Sequence, residues 1–336
     1  MKLIIQIPCY NEEKTLSLVL RDIPRAISGI DVIETQVIDD GSSDQTVAVA
    51  RSLGVNHIVR YIGNKGLGNA FKRGVENALV QGADILVNTD GDNQYKSSDI
   101  PRLVIPIVHQ RADIVIGNRQ TGTIEHFSPV KKFFQWLGSA VTQYLSGLKI
   151  PDAVSGFRAY SREALLELNV TSDFSYVLDT IIQASKKRLK IGYVDITTNA
   201  PTRPSRLFKG IFQHIKKSTS NLLRVYAMYE PLKTFASLGT VFLLLGLYPM
   251  ARYVFFYVNG EGSGHVQSLI IGAMCVIIGV QLYGLGVVGD LIAKQRRLTE
   301  DVLYRIKKTQ ADRARHTVHP NNAPPSTYPL VGSRRG

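Results

Sequence analysis

Two aspartates one residue apart, followed two positions later by a side-chain amide, close an apolar run. Ile85-Leu86-Val87 leads into Asn88-Thr89-Asp90-Gly91-Asp92-Asn93-Gln94. The run reads as a buried strand whose carboxyl end meets the surface, which is where open α/β sheets bind ligands. In an extended segment Asp90, Asp92 and Gln94 alternate, so their oxygens point the same way. Hard divalent cations take a few such oxygens and complete their shell with substrate phosphates. An isolated pair of this kind also reads as a turn capping the next helix. Its surroundings favour the metal.

Three further clusters stand at the ends of apolar runs. Ile7-Pro8-Cys9-Tyr10-Asn11-Glu12-Glu13 follows the first run and opens a helix, a place that suits an anionic or nucleotide ligand. Glu12 there also reads as a first-turn carboxylate favouring the helix dipole. Ile38-Asp39-Asp40-Gly41-Ser42-Ser43-Asp44 ends the second run, where paired carboxylates can hydrogen-bond a base and ribose and Asp44 caps the following helix. Gly63-Asn64-Lys65-Gly66-Leu67-Gly68-Asn69 is a glycine-rich helix start that matches neither a Walker A loop nor GxGxxG.

The elements that must carry these clusters alternate. Apolar runs at Leu3–Ile7, Val32–Ile38, His57–Tyr61, Ile85–Val87 and Ile114–Ile116 are separated by amphipathic segments at Glu13–Ile27, Thr46–Leu53, Leu67–Val80 and Ile100–His109. This predicts an α/β fold with a mostly parallel, doubly wound sheet. Helices over 133–148, 162–168 and 176–187 and a strand over 191–196 complete it, with 151–160 read as irregular.

Charge and hydropathy then change together. Of the net charge of +13, residues 201–233 (seven basic, one acidic) and 290–336 (ten basic, four acidic) carry almost all, while 1–200 are nearly balanced. These segments flank the two most apolar stretches, so a bilayer surface with anionic headgroups fits better than nucleic acid. Leu207, Ile211, Phe212, Ile215, Leu222 and Val225 lie at helical spacing against Lys209, Lys216, Lys217 and Arg224, the pattern of a helix lying on a membrane. Two apolar runs, about 232–258 and 266–289, are each long enough to cross a hydrocarbon core of roughly 30 Å. Their connection lacks Lys and Arg and the basic flanks lie beyond both spans, placing both termini and the catalytic part in the cytoplasm. The expected division is 1–200 catalytic, 201–231 interfacial, 232–290 a transmembrane hairpin, 291–311 a charged cytoplasmic helix and 312–336 a disordered tail. Cys9 and Cys275 form no disulfide or metal pattern, and no cleavable signal is expected.

The ordered series PCYNEE (8–13), VIDDGSSD (37–44), NKGLGNA (64–70), DGDNQ (90–94), GNR (117–119) and DAVSGFRAYSR (152–162) resembles the family 2 glycosyltransferases. Within them it is most similar to polyisoprenyl-phosphate glycosyltransferases such as dolichyl-phosphate mannose synthases, over about residues 1–210. The resemblance implies a GT-A fold, a nucleotide-sugar donor of UDP or GDP type and a dolichyl or undecaprenyl phosphate acceptor. It puts Pro8, Tyr10, Glu12, Ile38 and Asp40 along the nucleotide, with Gly91 between the metal ligands. It puts Asp90, Asp92 and Gln94 on Mg²⁺ or Mn²⁺ at the diphosphate, and Arg119 on phosphate. Arg203 and Lys209 keep the family's six-residue spacing, although Arg206-Leu207-Phe208 replaces the usual Gly-x-Ser before the lysine. Lys131 and Lys132 stand where many members have paired arginines.

A phosphate acceptor is already anionic near neutral pH, so a dedicated general base is less necessary than for a hydroxyl. The protein must instead supply a cationic seat, for which Arg119, Lys131, Lys132, Arg158 and Arg203 are the candidates. Asp152 either orients Arg158 or the sugar, or sits in a buried ion pair. Single displacement inverts the anomeric centre. A processive polysaccharide synthase is the first alternative, but Trp136 in Phe-Phe-Gln-Trp does not match the acceptor motif of such enzymes. A non-catalytic nucleotide sensor is the second, and it has no need of the Asp90/Asp92/Gln94 set. Neither span carries GxxxG, which leaves a homo-oligomer open.

Overall fold

The computed structural model describes residues 1–120, 143, 146–148, 150–170, 176–200, 227–260 and 262–318. The apolar runs become strands: β1 (Lys2–Cys9), β2 (Val32–Asp39), β3 (His57–Arg60), β4 (Ile85–Asn88) and β5 (Ile114–Asn118). Between them lie α1 (Leu16–Arg21), α2 (Thr46–Ser52), α3 (Leu67–Val80) and α4 (Ile100–Val108). Then come β6 (Arg158–Ser161), α5 (Arg162–Glu167), α6 (Val177–Lys186) and β7 (Ile191–Asp195).

The seven strands order as β3-β2-β1-β4-β6-β5-β7. Only β6 is antiparallel to its neighbours β4 and β5. The sequence pattern reads 151–160 as irregular, whereas 158–161 form this strand. Its four residues, Arg-Ala-Tyr-Ser, show no alternation, and Arg158 at its head is fully buried against expectation for its type. Alternate residues of β1 feed opposite layers. Leu3, Ile5 and Ile7 pack with Leu16, Val19 and Leu103, while Ile4 packs with Phe71, Val75 and Leu165. Burial on both faces explains why the strand is an unbroken apolar run.

Two long helices follow: α7 (Pro231–Val258) and α8 (Val266–Val318). Both are long and apolar enough to cross a membrane, and only 6% and 17% of their most apolar windows are buried. They meet along a seam of glycines. A Cβ on Gly246 would stand 2.7 Å from the Gly272 carbonyl oxygen, and one on Gly239 2.9 Å from that of Gly279. Small residues let the two backbones approach as helices do in lipid.

Two boundaries differ from expectation. The second apolar run continues into the charged segment as one helix, and that helix runs on through 312–318, where a tail is expected. The reason is docking: Ala311 is buried, and Asp312 and Arg315 pair with the sheet domain. Residues 319–336 and the amphipathic stretch 201–226 lie outside the described residues, as does most of the expected helix over 133–148.

Candidate active site

Three loops at the carboxyl edge of the sheet converge. Pro8 on β1 and Ile38 on β2 are partners in register, so the segments that follow them, with Tyr10, Glu12 and Asp40, leave the sheet side by side. The two loops are then tied by backbone amides. Asn11 donates to Ser42 Oγ at 2.9 Å, Glu12 to Thr46 Oγ1 at 2.8 Å, and Ser43 to Asn11 Oδ1 at 2.8 Å. Although the N-cap position itself is Gln45, Asp44 accepts from the amide of Thr46, the first residue of α2. Burial works to raise its pKa, yet the hydrogen bonds from Thr46 and the Glu13 amide overcome this and hold it low.

Asp40 joins the third loop. Its Oδ1 accepts from the Lys65 amide at 2.7 Å and its Oδ2 from the Gly66 amide at 3.0 Å. The carboxylate thus holds the glycine-rich start of α3 beside the loops that follow β1 and β2, leaving one lone pair on each oxygen. Gly41 is required where it stands: at φ 79°, a Cβ would lie 2.6 Å from the backbone of Gly63. Arg60 reaches Asp39 Oδ2 at 3.1 Å, and a cavity of about 310 Å³ opens beside it, lined by Gly41, Ser42 and residues 60–63.

The aspartate pair is not the extended segment read from the sequence. β4 ends at Asn88, Asn93 takes φ 60°, and the Gln94 amide donates back to Asp92 Oδ1 at 3.0 Å. Residues 90–94 form a turn, because an Asx-type hydrogen bond outcompetes strand pairing once the ladder stops. The turn is pressed onto the β1 loop. A Cβ on Gly91 would meet Cys9 Sγ at 3.0 Å, and the Thr15 hydroxyl sits 2.7 Å from the Gly91 carbonyl oxygen and 2.8 Å from Glu12 Oε2. From the other side Asn199 donates to the carbonyls of Gln94 and Asn93 at 2.9 and 3.0 Å.

A second group of residues faces the turn. A Cβ on Gly156 would lie 3.5 Å from both Asp90 oxygens and 3.3 Å from Tyr176 Oη. Gly156 donates its amide to Tyr95 Oη at 3.1 Å. Beside it Arg119 and Asp152 form a buried two-pronged ion pair, with Nε–Oδ2 2.7 Å and Nη2–Oδ1 2.8 Å. Burial disfavours the Asp152 carboxylate, but Arg119 prevails and lowers its pKa. Burial lifts the Tyr95 phenol to about 12, with Asp90 and Asp152 adding to the rise against Arg119. Burial, then the carboxylates of Glu12, Asp39 and Asp90, push the Cys9 thiol well up, so neither group titrates near neutrality.

Two expectations are thereby corrected. Of the two alternatives for Asp152 the buried ion pair is the one observed, and its partner is Arg119 rather than Arg158. Arg158 offers nothing to a phosphate: its donors go to the carbonyls of Ser155, Val177 and Ala153 and to Thr180 Oγ1, inside the core. Lys131, Lys132, Arg203 and Lys209 lie outside the described residues. Sequence reasoning missed Thr15, Asn88, Tyr95, Gly156 and Tyr176. Asn88, Tyr95 and Gly156 lie in or beside quoted motifs, whereas Thr15 and Tyr176 reach the site only through contacts distant in sequence.

Asn88 belongs to a buried row. Asn77 donates to Gln36, Gln36 to Gln6, Gln6 to Asn88, and Asn88 to Tyr176 Oη and the Gly156 carbonyl, at 2.7 to 3.2 Å. Gln36, Gln6 and Asn88 are register partners across β2, β1 and β4. The row satisfies polar groups that would otherwise be costly inside the core.

Residues 4–168 match the family described as "Glycosyl transferase family 2". An uncharacterized protein of Methanocaldococcus jannaschii is 31% identical over 202 residues, 59% of this chain and 81% of that one. The chain belongs to glycosyltransferase family 2. Among its relatives, the UDP-N-acetylglucosamine–dolichyl-phosphate N-acetylglucosaminyltransferase of Methanococcus voltae is 30% identical over 213 residues, covering 57% of this chain and 83% of that protein. In fold, this glycosyltransferase is similar to glucosyl-3-phosphoglycerate synthase from Mycobacterium tuberculosis, solved with Mn²⁺, UDP-glucose and phosphoglyceric acid. The TM-score is 0.51 at 21% identity, over 67% of this chain and 78% of that one.

The aspartate turn can be tested for the metal that its fold implies. Among the described residues no three His, Cys, Asp or Glu side chains converge as a protein cage. Asp90, Asp92 and Gln94 supply only hard oxygens, all on one turn at an open sheet edge. That set suits Mg²⁺ or Mn²⁺ sharing its shell with phosphates and does not suit a soft or self-contained site. The residues present fit.

Proposed function

We propose that this glycosyltransferase moves one sugar from a nucleotide-sugar donor, UDP- or GDP-linked, to a polyisoprenyl phosphate. The observation that carries the reading is the aspartate turn clamped at the sheet edge, on a chain that also bears two membrane-length helices. The acceptor named for the Methanococcus voltae relative supports it. The divalent cation, when bound, stabilises negative charge on the leaving diphosphate. Asp90, Asp92 and Gln94 hold it, while Pro8, Tyr10, Glu12, Ile38 and Asp40 frame the nucleotide around Gly91.

Arg119, fixed by Asp152, forms the described part of the cationic seat for the attacking phosphate. Lys131, Lys132 and Arg203 are its further candidates, and Lys209 is assigned to the nucleotide. An acceptor oxygen forms a bond to the sugar's C1 as the C1–diphosphate bond breaks, so the anomeric centre inverts and the nucleoside diphosphate departs. In this reading residues 1–200 are the catalytic domain, and both termini lie on the cytoplasmic side of the bilayer.

The test is Asp92→Ala, assayed with radiolabelled nucleotide sugars, membranes and polyprenyl phosphate. Transfer to lipid is abolished, Mn²⁺ binding by electron paramagnetic resonance weakens, and membrane insertion is unchanged. Full activity in this variant refutes the assignment.

A further inference from the structure

α8 does not stop where its apolar part ends. The last uncharged stretch closes at Gly289, and the helix continues unbroken to Val318. Its docking residues fall at 300, 304, 307, 311 and 315, steps of four, three, four and four that keep them on one face. Glu300 pairs with Lys187 at 3.2 Å, Tyr304 Oη donates to Glu163 at 2.9 Å, and Lys307 Nζ donates to the Leu168 carbonyl at 3.0 Å. Ala311 enters the core behind α3, and Arg315 pairs with Asp84 at 2.6 Å.

The order of these partners gives a direction. Lys187 ends α6 and precedes β7, Glu163 follows β6, and Asp84 precedes β4. Moving away from the apolar span, α8 therefore passes the sheet from its β7 side toward β4. It does so along the edge opposite the aspartate turn, since β4 and β7 both begin there. Near the span, Arg296 covers the Tyr229 ring at 4.2 Å and Glu230 pairs with Lys186, so the foot of α7 is fastened at the same corner.

We propose that α8 beyond Gly289 is a rigid strut that hangs the catalytic sheet sideways from the bilayer. The β5–β7 edge, with the Arg119–Asp152 seat, lies nearest the membrane, and the nucleotide loops of β1 to β3 lie farthest out. The proposal rests on reading the hairpin as membrane-spanning and the acceptor as a lipid. It assigns the strut a positioning role: a lipid phosphate arrives from the bilayer side while the soluble donor arrives from the water side. Seven strands put the β7 and β3 edges about 29 Å apart, at roughly 4.8 Å per strand.

Two measurements on the full chain in vesicles test it. With Cys275 replaced by Ala, a fluorophore is placed at Tyr193→Cys on β7 or at Ile62→Cys beyond β3, both exposed positions. Quenching by headgroup-labelled lipids is expected to be strong at residue 193 and weak at 62. Equal or reversed quenching overturns the strut, whatever the acceptor proves to be. Second, two or seven alanines are inserted after Leu291. Two turn the docking face by about 200°, whereas seven restore it to within about 20°. Transfer to a bilayer-held acceptor should fall at least tenfold with two and be largely kept with seven, while a detergent-dissolved short-chain acceptor is used equally by both. Equal transfer by both in bilayers overturns the strut while upholding the lipid acceptor. Wild-type failure on every lipid acceptor sinks the acceptor reading, and the quenching result then decides the strut alone.

Discussion

Removing one partner of the Arg119–Asp152 pair should be far worse than removing both. The two side chains are 7% and 3% exposed, joined by hydrogen bonds of 2.7 and 2.8 Å, with a third from the Arg119 amide at 3.3 Å. Asp152→Asn leaves a guanidinium buried without its countercharge, at a cost of about 3–5 kcal/mol. For a domain of this size that lowers the melting temperature by about 6–20 °C. Arg119→Met should cost a similar amount by stranding the carboxylate. Arg119→Met with Asp152→Leu restores an apolar contact and should recover most of the loss, giving a coupling energy of about 3 kcal/mol or more. Thermal unfolding followed by circular dichroism measures all four proteins. Activity separates the roles: Asp152→Asn keeps the Arg119 charge and retains some transfer, whereas the stable double variant should be inactive. The pH sign is defined as well. Because the folded pKa of Asp152 is depressed, its stabilisation is complete above the unfolded value of about 3.9 and disappears as pH falls through the folded one. The gap between wild type and Asp152→Asn should therefore close in acid. Single-variant losses that add up to the double within about 0.5 kcal/mol would refute this account.

Three other outcomes follow from the same packing. Gly74→Ala would drive a Cβ to within 2.0 Å of Gln6 Oε1 and break the buried amide row, destabilising by about 1–3 kcal/mol in chemical unfolding. Lys307, lowered to about 8 mainly by burial, binds fewer protons folded than unfolded between pH 8 and its ordinary range, so wild type should gain stability relative to Lys307→Met as pH rises through that window. Native Cys9, buried and with a raised pKa, should resist maleimide at pH 8 and react only on unfolding, and rapid native labelling seen by mass spectrometry contradicts the packing around Gly91.

The parts of the molecule legible in the sequence are those set by local pattern. Leu67–Val80 is helical to the residue, and the five expected strands of the first half all form, because apolar period and helix starts are local signals. What stayed hidden depends on register. Gln6, Gln36 and Asn88 look like polar interruptions in three separate strands and become a hydrogen-bonded row only when those strands align. Arg158 looked like a phosphate ligand because a charged side chain at a motif suggests chemistry, yet the short antiparallel β6 turns it into the core. The 4-3-4-4 spacing of the α8 docking face is present in the chain, but a charged helix does not reveal its partners, which lie on α5 and just before β4.

The layout of these contacts explains how one sheet serves both chemistry and attachment. The loops of the candidate site leave the carboxyl edge, and they are tied to each other: Asn11 to Ser42, Asp40 to the start of α3, Thr15 to Gly91. Every described contact of α8 with the sheet lies at the opposite edge, where Asp84 precedes β4 and Arg162 follows β6. A load carried through the hairpin is therefore taken up by paired charges and Ala311 behind the sheet, not by the aspartate turn. Between the two edges stands the amide row, which spans β2, β1 and β4 and ends at Gly156, where a Cβ would press on Tyr176 Oη at 3.3 Å and stand in ordinary contact with Asp90.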